Sequence, residues 1–328
     1  MKTIALIDFD GKIPNLALMK LSTYYKALGY MVVLLNQYAK GNFDKVFCSV
    51  LFTWNKAKAE KLKYIYPNIE FGGTGWDIYK KLPDAIEKCS PDYDLYSVEF
   101  LEKRTKGIMT KHSRHEKAKV LSKMGIGFTS RGCVRNCAFC FVPEKEGKFH
   151  QVAEIKDIIN PRSKVITLLD NNFTADPFMI DKCKEIKERD LIVDITQGID
   201  VRLMTPEKAE ALASIKHLRS VHYAWDLMKY ENIVFEGIKI LSKQIKPYTH
   251  LCFMLVGFDT SFEEDNYRLW KIHELGITPY VMIFNKNEAN SLRLKHFARW
   301  VNGHFFKNVP FSKYEPWVKA QSEQMTLF

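Results

Sequence analysis

The chain has 328 residues, of which 46% are hydrophobic and 13% aromatic, with a formal net charge of +11; this excludes a disordered or fibrous chain and suits a protein of two domains with sizeable cores. No apolar run is long enough to span a bilayer, and Met1-Lys2-Thr3 leads into a strand-like segment without a signal-peptide shape, so the expected location is the cytoplasm, with no membrane partner. Seven cysteines, four of them scattered singly at Cys48, Cys89, Cys183 and Cys252, do not make a disulfide framework; the basic balance makes nucleic acid a candidate partner without deciding it, since a basic surface is also simply a solvated one.

Thr3 to Phe9 is a nearly continuous apolar run ending in Asp8 and Asp10, the pattern of a parallel strand buried on both faces. Leu16, Leu18, Met19, Leu21 and Leu28 then recur at helical spacing, and Gly29 stops that helix. Strands are expected at Met31 to Leu35, Lys45 to Leu51 and Ile69 to Phe71, with a helix around Ala57 to Tyr66. Strands alternating with helices imply a doubly wound α/β domain over residues 1–100. Gly72-Gly73-Thr74-Gly75 reads as a tight turn at a strand end, and Pro83 to Asp94 as irregular structure.

Residues 101–124 are markedly basic and are read as a linker. Lys103, Arg104, Lys106, Lys111, Arg114, Lys117, Lys119 and Lys123 stand against Glu102 and Glu116. Two readings compete for this run, a solvated surface and a phosphate-contacting strip.

A second domain is expected over residues 125–285. Ile126 to Ser130 is a short strand that delivers Cys133, Cys137 and Cys140, spaced Cys-x3-Cys-x2-Cys. One loop with this spacing can wrap a single inorganic centre, and three thiols leave one metal position open where a structural zinc site would be closed by four ligands. Strands follow at Val165 to Leu169, Leu191 to Thr196, Ser220 to Tyr223, Thr249 to Val256 and Thr278 to Phe284. Helix starts are marked by Asp176-Pro177, by Thr205-Pro206 and by the capping box Ser261-x-x-Glu264, with a helix also near Asn232 to Ser242. Six strand-helix units make a partial (β/α)6 barrel of TIM type, whose chemistry belongs at the carboxyl ends of its strands. Polar residues gather there: Asp170-Asn171-Asn172, Gln197 with Asp200 and Arg202, His222 with Asp226, Gly257 to Thr260, and Asn285.

The tail, residues 286–328, interleaves basic and aromatic residues, among them Arg293, Lys295, Trp300, Phe306, Lys307, Phe311 and Trp317. Such a mixture tracks phosphates and stacks bases, or else packs its rings over the barrel while the lysines stay in water.

The three-cysteine loop, with Phe139 just before Cys140, resembles the signature of the radical S-adenosylmethionine enzymes. The resemblance implies that Cys133, Cys137 and Cys140 hold three irons of a 4Fe-4S cluster, that S-adenosylmethionine chelates the fourth, and that reductive cleavage to a 5'-deoxyadenosyl radical takes a hydrogen atom from a substrate the residues do not identify. It further implies an external one-electron reductant such as flavodoxin or ferredoxin. The stretch Leu168 to Thr174 is similar to the family's Asp-Asn-Phe segment, which would put Asp170 or Asn171 on the amino group of S-adenosylmethionine. Gly257 to Thr260 looks like the family's turn beside adenine. Gln197, Asp200 and Arg202 lie where members contact ribose and carboxylate, Arg202 being suited to a carboxylate by its two parallel donors.

The first domain resembles the Rossmann-like cobalamin-binding fold of one branch of these enzymes, with Ser49-Val50-Leu51 and Gly72-Gly73 in place of that branch's Ser-x-Leu and Gly-Gly. The branch's cobalt-ligating Asp-x-His-x-x-Gly loop is here Asp8-Phe9-Asp10-Gly11-Lys12-Ile13, without histidine. A cobalamin-dependent methyltransferase is therefore one alternative reading. Another class of function is a non-enzymatic zinc or iron-sulfur nucleic-acid-binding protein, with His150 or His115 as fourth ligand; it explains the charge but not the long alternating α/β domain.

Overall fold

The apolar run that opens the chain becomes a central strand because both of its faces are covered. The computed structural model describes residues 2–107, 109–285 and 292–319, which divide into one unit of Met1–Gly127 with Ile158–Ile166 and another of Phe128–Asp157 with Thr167–Phe328.

In the first unit, strands β1 (Thr3–Asp8), β2 (Met31–Leu35), β3 (Lys45–Ser49) and β4 (Ile69–Gly72) form a parallel sheet in the order β2-β1-β3-β4. Ala5 and Ile7 face a core with Val46, Cys48, Leu62, Tyr66 and Phe71. Ile4 and Leu6 face the other, with Leu18, Leu21, Phe47 and Ile86. Burial of alternate residues on opposite faces is why the strand is apolar throughout rather than alternating. The helix Leu16–Ala27 starts on Asn15, whose side chain accepts from Leu18 N, and Gly29 follows its end at φ +80°.

Local differences from expectation have local causes. The helix expected around Ala57 to Tyr66 is a short α-helix, Lys56–Glu60, tightening into a 3-10 turn, Lys61–Tyr64. The segment read as irregular contains a single helical turn, Asp84–Glu87. Within the basic stretch 101–124, the helix Val98–Arg104 ends and a second helix, Lys111–Lys123, begins on Thr110. That second helix buries Ala118 and Leu121 and leaves Lys111, Lys117, Lys119 and Lys123 exposed, and it clusters with the first unit, as does the short strand β5 (Gly125–Gly127).

In the second unit, β6 (Ser130–Arg131) and β7 (His150–Gln151) pair antiparallel. Strands β8 (Val165–Leu168, of which Thr167 and Leu168 fall in this unit), β9 (Ile192–Ile195) and β10 (Lys216–His217) lie in the order β10-β9-β8. Strands β11 (Val221–Ala224), β12 (His250–Val256) and β13 (Thr278–Ile283) form a parallel sheet. A bridge between Ile199 and Tyr223 joins the two sets. Helices Met179–Glu188, Pro206–Ala213, Glu231–Ser242, Phe262–Glu274 and Leu292–Asn302 follow β8, β9, β11, β12 and β13. Each buries one stripe, for example Val234, Ile238 and Leu241.

The Thr205 cap, the Ser261–Glu264 capping box and the left-handed Gly276 fall as read from the sequence. Asp176 differs: the helix after it begins at Met179, because the Asp176 carboxylate accepts from Phe178 N at 2.8 Å and is also claimed by the Lys182 ammonium. Residues 286–291 and 320–328 of the tail lie outside the described residues. Among the described residues no helix is long and apolar enough to cross a membrane.

Candidate active site

Where the cysteine loop leaves the sheet, β6 and β7 clamp its two ends through the pairs Ser130 with Gln151 and Arg131 with His150. Gly132 opens the loop at φ +76°, and a Cβ there would lie 2.3 Å from the Lys148 carbonyl oxygen, so no larger residue fits this crossing. Arg131 places its guanidinium 3.9 Å over the Phe128 ring and ion-pairs with Glu146.

Asp170 holds the loop's base from below. Its buried carboxylate accepts from Thr129 N at 2.7 Å, Ser130 N at 3.0 Å and Ser130 Oγ at 2.8 Å, and also from the Thr129 hydroxyl. Burial pushes its pKa up while these donors counter the rise. Lys182 rises from the following helix to the same place, donating to Thr129 Oγ1 and Gln151 Oε1, each at 2.8 Å, and to Asp176. A buried lysine is tolerated here because its donors are met and its charge is paired.

The next two residues touch the loop itself. Asn171 Oδ1 accepts from Gly132 N at 2.9 Å. Asn172 Nδ2 donates to Cys133 Sγ at 3.4 Å, which also accepts from Arg135 N at 3.3 Å. Asp170 and Asn171 therefore serve the loop's own backbone.

The three cysteines are half-buried and outside any disulfide. Burial raises the Cys140 thiol, and the neighbouring Cys137, Cys133 and Asp226 add to the rise. A cation removes that barrier, because a coordinated thiol is deprotonated outright.

Beside the cysteines lies a charged cluster built on β9's carboxyl end. The Asp200 carboxylate takes Arg202 through Nε at 2.6 Å and Nη2 at 2.9 Å, and Arg135 through Nε at 3.0 Å. Burial would raise Asp200, but the two guanidinium groups outweigh it and hold its carboxyl below the usual range. Arg202 also lies 4.9 Å over the Tyr230 ring, and its positive charge stands near enough to Cys137 to interact with it. The fork expected to receive a ligand carboxylate is thus engaged along one edge by Asp200. At the end of β11, Asp226 accepts from Leu255 N at 3.0 Å, and burial pushes its carboxyl up to about 6.

The remaining sequence candidates are more scattered. Phe139 meets Phe258 edge-on at 5.6 Å, and Phe258 meets Phe284 at 4.9 Å, so the ring before Cys140 joins a small aromatic cluster. Gln197 is exposed. Gly257 turns the chain at φ +77°. Thr260 is drawn into the start of the next helix, donating to Asp265 Oδ1 at 2.6 Å beside the fully buried Arg268.

Residues 128–267 match the Radical SAM superfamily. No curated protein matches the chain. The radical SAM match contains the cysteine loop, the Asp200 cluster and Asp226, and leaves residues 1–127 and the strand β13 outside it. Its family chemistry is that of a 4Fe-4S cluster and S-adenosylmethionine.

The residues fit such a cluster. Cys133, Cys137 and Cys140 lie in one loop, half-buried and outside any disulfide, and three thiolates of a cuboidal cluster would each bind a separate iron. The histidines weighed as fourth ligands have other partners: His115 Nδ1 lies 3.0 Å from Glu102 Oε2, and His150 Nδ1 lies 2.9 Å from the Lys148 carbonyl oxygen.

In the first unit the residues that match the cobalamin motif are engaged within the chain itself. Asp10, in the loop where a cobalt ligand would sit, accepts from Leu51 N at 2.8 Å, Phe52 N at 3.1 Å and Asn55 Nδ2 at 2.9 Å. Ser49 Oγ accepts from Asn15 Nδ2 at 2.9 Å. Gly73 has φ +95°, and a Cβ on it would lie 2.4 Å from the Val50 carbonyl oxygen, so its smallness serves chain against chain. Buried Asp8 is bonded to Tyr96 Oη, Gly11 N and Arg104.

Two residues of the site, Arg135 and Lys182, are absent from the sequence-based candidates, and Asn172 and Asp226 stand there only among the strand-end polar residues. Arg135 carries a signal in lying within the cysteine loop, but Lys182 sits in a helix and announces nothing by its spacing.

Proposed function

We propose that the chain is a radical S-adenosylmethionine enzyme whose second unit is a partial (β/α)6 barrel. The observation that carries this reading is the three-cysteine loop clamped by β6 and β7 inside the superfamily match. When bound, the cluster supplies one electron to S-adenosylmethionine, whose cleavage gives the 5'-deoxyadenosyl radical that takes a hydrogen atom from substrate.

Cys133, Cys137 and Cys140 would hold the irons. Asp170, Asn171 and Lys182 keep the loop in one conformation, so that little reorganisation accompanies ligation. Asn172 and Arg202 place a donor and a positive charge beside ligand sulfurs, which stabilises negative charge there. We assign contacts with S-adenosylmethionine to Phe139, Gln197, Arg202, Asp226 and the turn at Gly257. A flavodoxin- or ferredoxin-type protein is the reductant proposed, and the cytoplasm the compartment, since free ligand thiols need reducing surroundings. The first unit is read as Rossmann-like and as a platform without cobalamin.

Anaerobic reconstitution tests this directly. About four irons per chain and release of 5'-deoxyadenosine under reduction are expected, both lost in Cys137→Ala. Stoichiometric zinc with no cleavage would instead favour the nucleic-acid-binding reading. Equilibrium dialysis with cobalamin is expected to show no uptake.

A further inference from the structure

The second unit carries a separate groove of about 680 Å³ formed by the helix Phe262–Glu274 and the chain after Leu292. Its rings are Phe262, Trp270, Trp300, Phe306, Phe311 and Trp317, and its cations are Arg293 and Lys307. None of its described lining residues is acidic; Glu263, 3.9 Å from Arg293, stands outside that lining. The volume falls in the range of small-ligand sites, about 300 to 1,000 Å³. Trp270 is 36% exposed, although it is large and apolar, and Lys307 and Asn308 beside it are exposed as well. Arg293 already stacks 3.7 Å over Phe262, and Phe311 and Trp317 lie parallel at 5.5 Å and 15°.

We propose that this groove binds single-stranded nucleic acid, stacking an unpaired base on Trp270 while Lys307 and Arg293 meet the backbone phosphates. Flat aromatic faces, cations and no lining carboxylate are together the chemistry that such a strand requires. A net charge of +11 adds long-range attraction for a polyanion. A duplex hides the base faces that Trp270 would stack upon, so the preference is for unpaired strands. One edge of the groove begins at Phe262, just after the Thr260 loop at the carboxyl end of β12. The proposal does not depend on radical chemistry, and its test reads binding alone.

The test uses the full chain and fluorescein-labelled single strands of about 12 nucleotides, one of RNA and one of DNA, with fluorescence anisotropy as the readout. A duplex of the same sequence and polyglutamate serve as competitors. Binding of either single strand is expected, weakening with salt. Trp270→Ala should weaken it about tenfold. Lys307→Ala, at an exposed position that leaves the core intact, should reduce the slope of log Kd against log salt by about 0.7. Several results would overturn the proposal: no binding of either strand, equal competition by duplex or polyglutamate, or unchanged binding and salt slope in the variants. A dimer that forms through the groove and dissolves in Trp270→Ala, with no strand bound, would assign the groove to a second copy instead. Relative affinity for RNA and DNA then identifies which strand the groove takes.

Discussion

Asp200 grips Arg202 along one edge of the guanidinium, with Oδ1 2.6 Å from Nε and Oδ2 2.9 Å from Nη2, and the same carboxylate takes Arg135 from inside the cysteine loop. One side chain on the strand-end thus ties the loop to the arginine that faces Cys137. The pair is well buried, with side-chain exposures of 16% and 7%, so its geometry carries more weight than a surface ion pair would.

Replacing Asp200 by Asn should leave two guanidinium groups facing each other across a neutral amide. A loss of about 1 to 3 kcal/mol in urea unfolding is expected. The Asp200 carboxyl is lowered in the folded protein, so its stabilisation is present above the ordinary carboxylate value of about 3.9 and is lost as pH falls through the lower folded value. The gap between wild type and Asp200→Asn should therefore close in acid. A gap independent of pH would show that the charge is not what matters.

Asn172→Ala and Asn171→Ala should separate two roles of neighbouring amides. Asn172 donates to a ligand sulfur, and its loss should lower the reduction potential of the reconstituted cluster, because the more negative reduced state loses a donor. Asn171 supports Gly132 N, so its loss should reduce iron content with little change in potential. Redox titration beside iron analysis distinguishes the outcomes; equal potentials in both variants would remove the role given to Asn172.

His250, fully buried at the start of β12, lies 3.0 Å from the Tyr223 hydroxyl, and burial lowers its pKa to about 4. A histidine held neutral in the folded state favours folding above its unfolded value of about 6.5, and that contribution fades as pH falls toward the folded value. Stability should therefore drop by up to about 3 kcal/mol over this interval. His250→Gln should flatten the curve between those values, measured by urea unfolding at stepped pH. An unchanged slope in the variant would place the titration elsewhere.

Much of the scaffold was legible in the sequence because its signals are local. Thr205 and Ser261 cap helices from within the same turn, and Gly29 and Gly276 stop them by a backbone preference of their own. The Asp176 cap misled because its carboxylate answers to Lys182 and Gln151 as well as to the local backbone. Ser49 and Gly73 show another limit of local signals. They are where a cobalamin motif would have them, but what they touch is Asn15 and the Val50 backbone.

The sequence by itself determined the alternating α/β order and the three thiols of one loop, since strand burial, helix caps and cysteine spacing are properties of neighbouring residues. Only the tertiary structure decided which strand-end polar groups serve the loop and which stand beside it. Asp170 reaches Thr129, 41 positions away, and Arg135 reaches Asp200, 65 positions away. A buried carboxylate takes whatever donors the fold brings to it, because most buried polar atoms must find a donor or acceptor. Spacing along the chain carries no record of that choice.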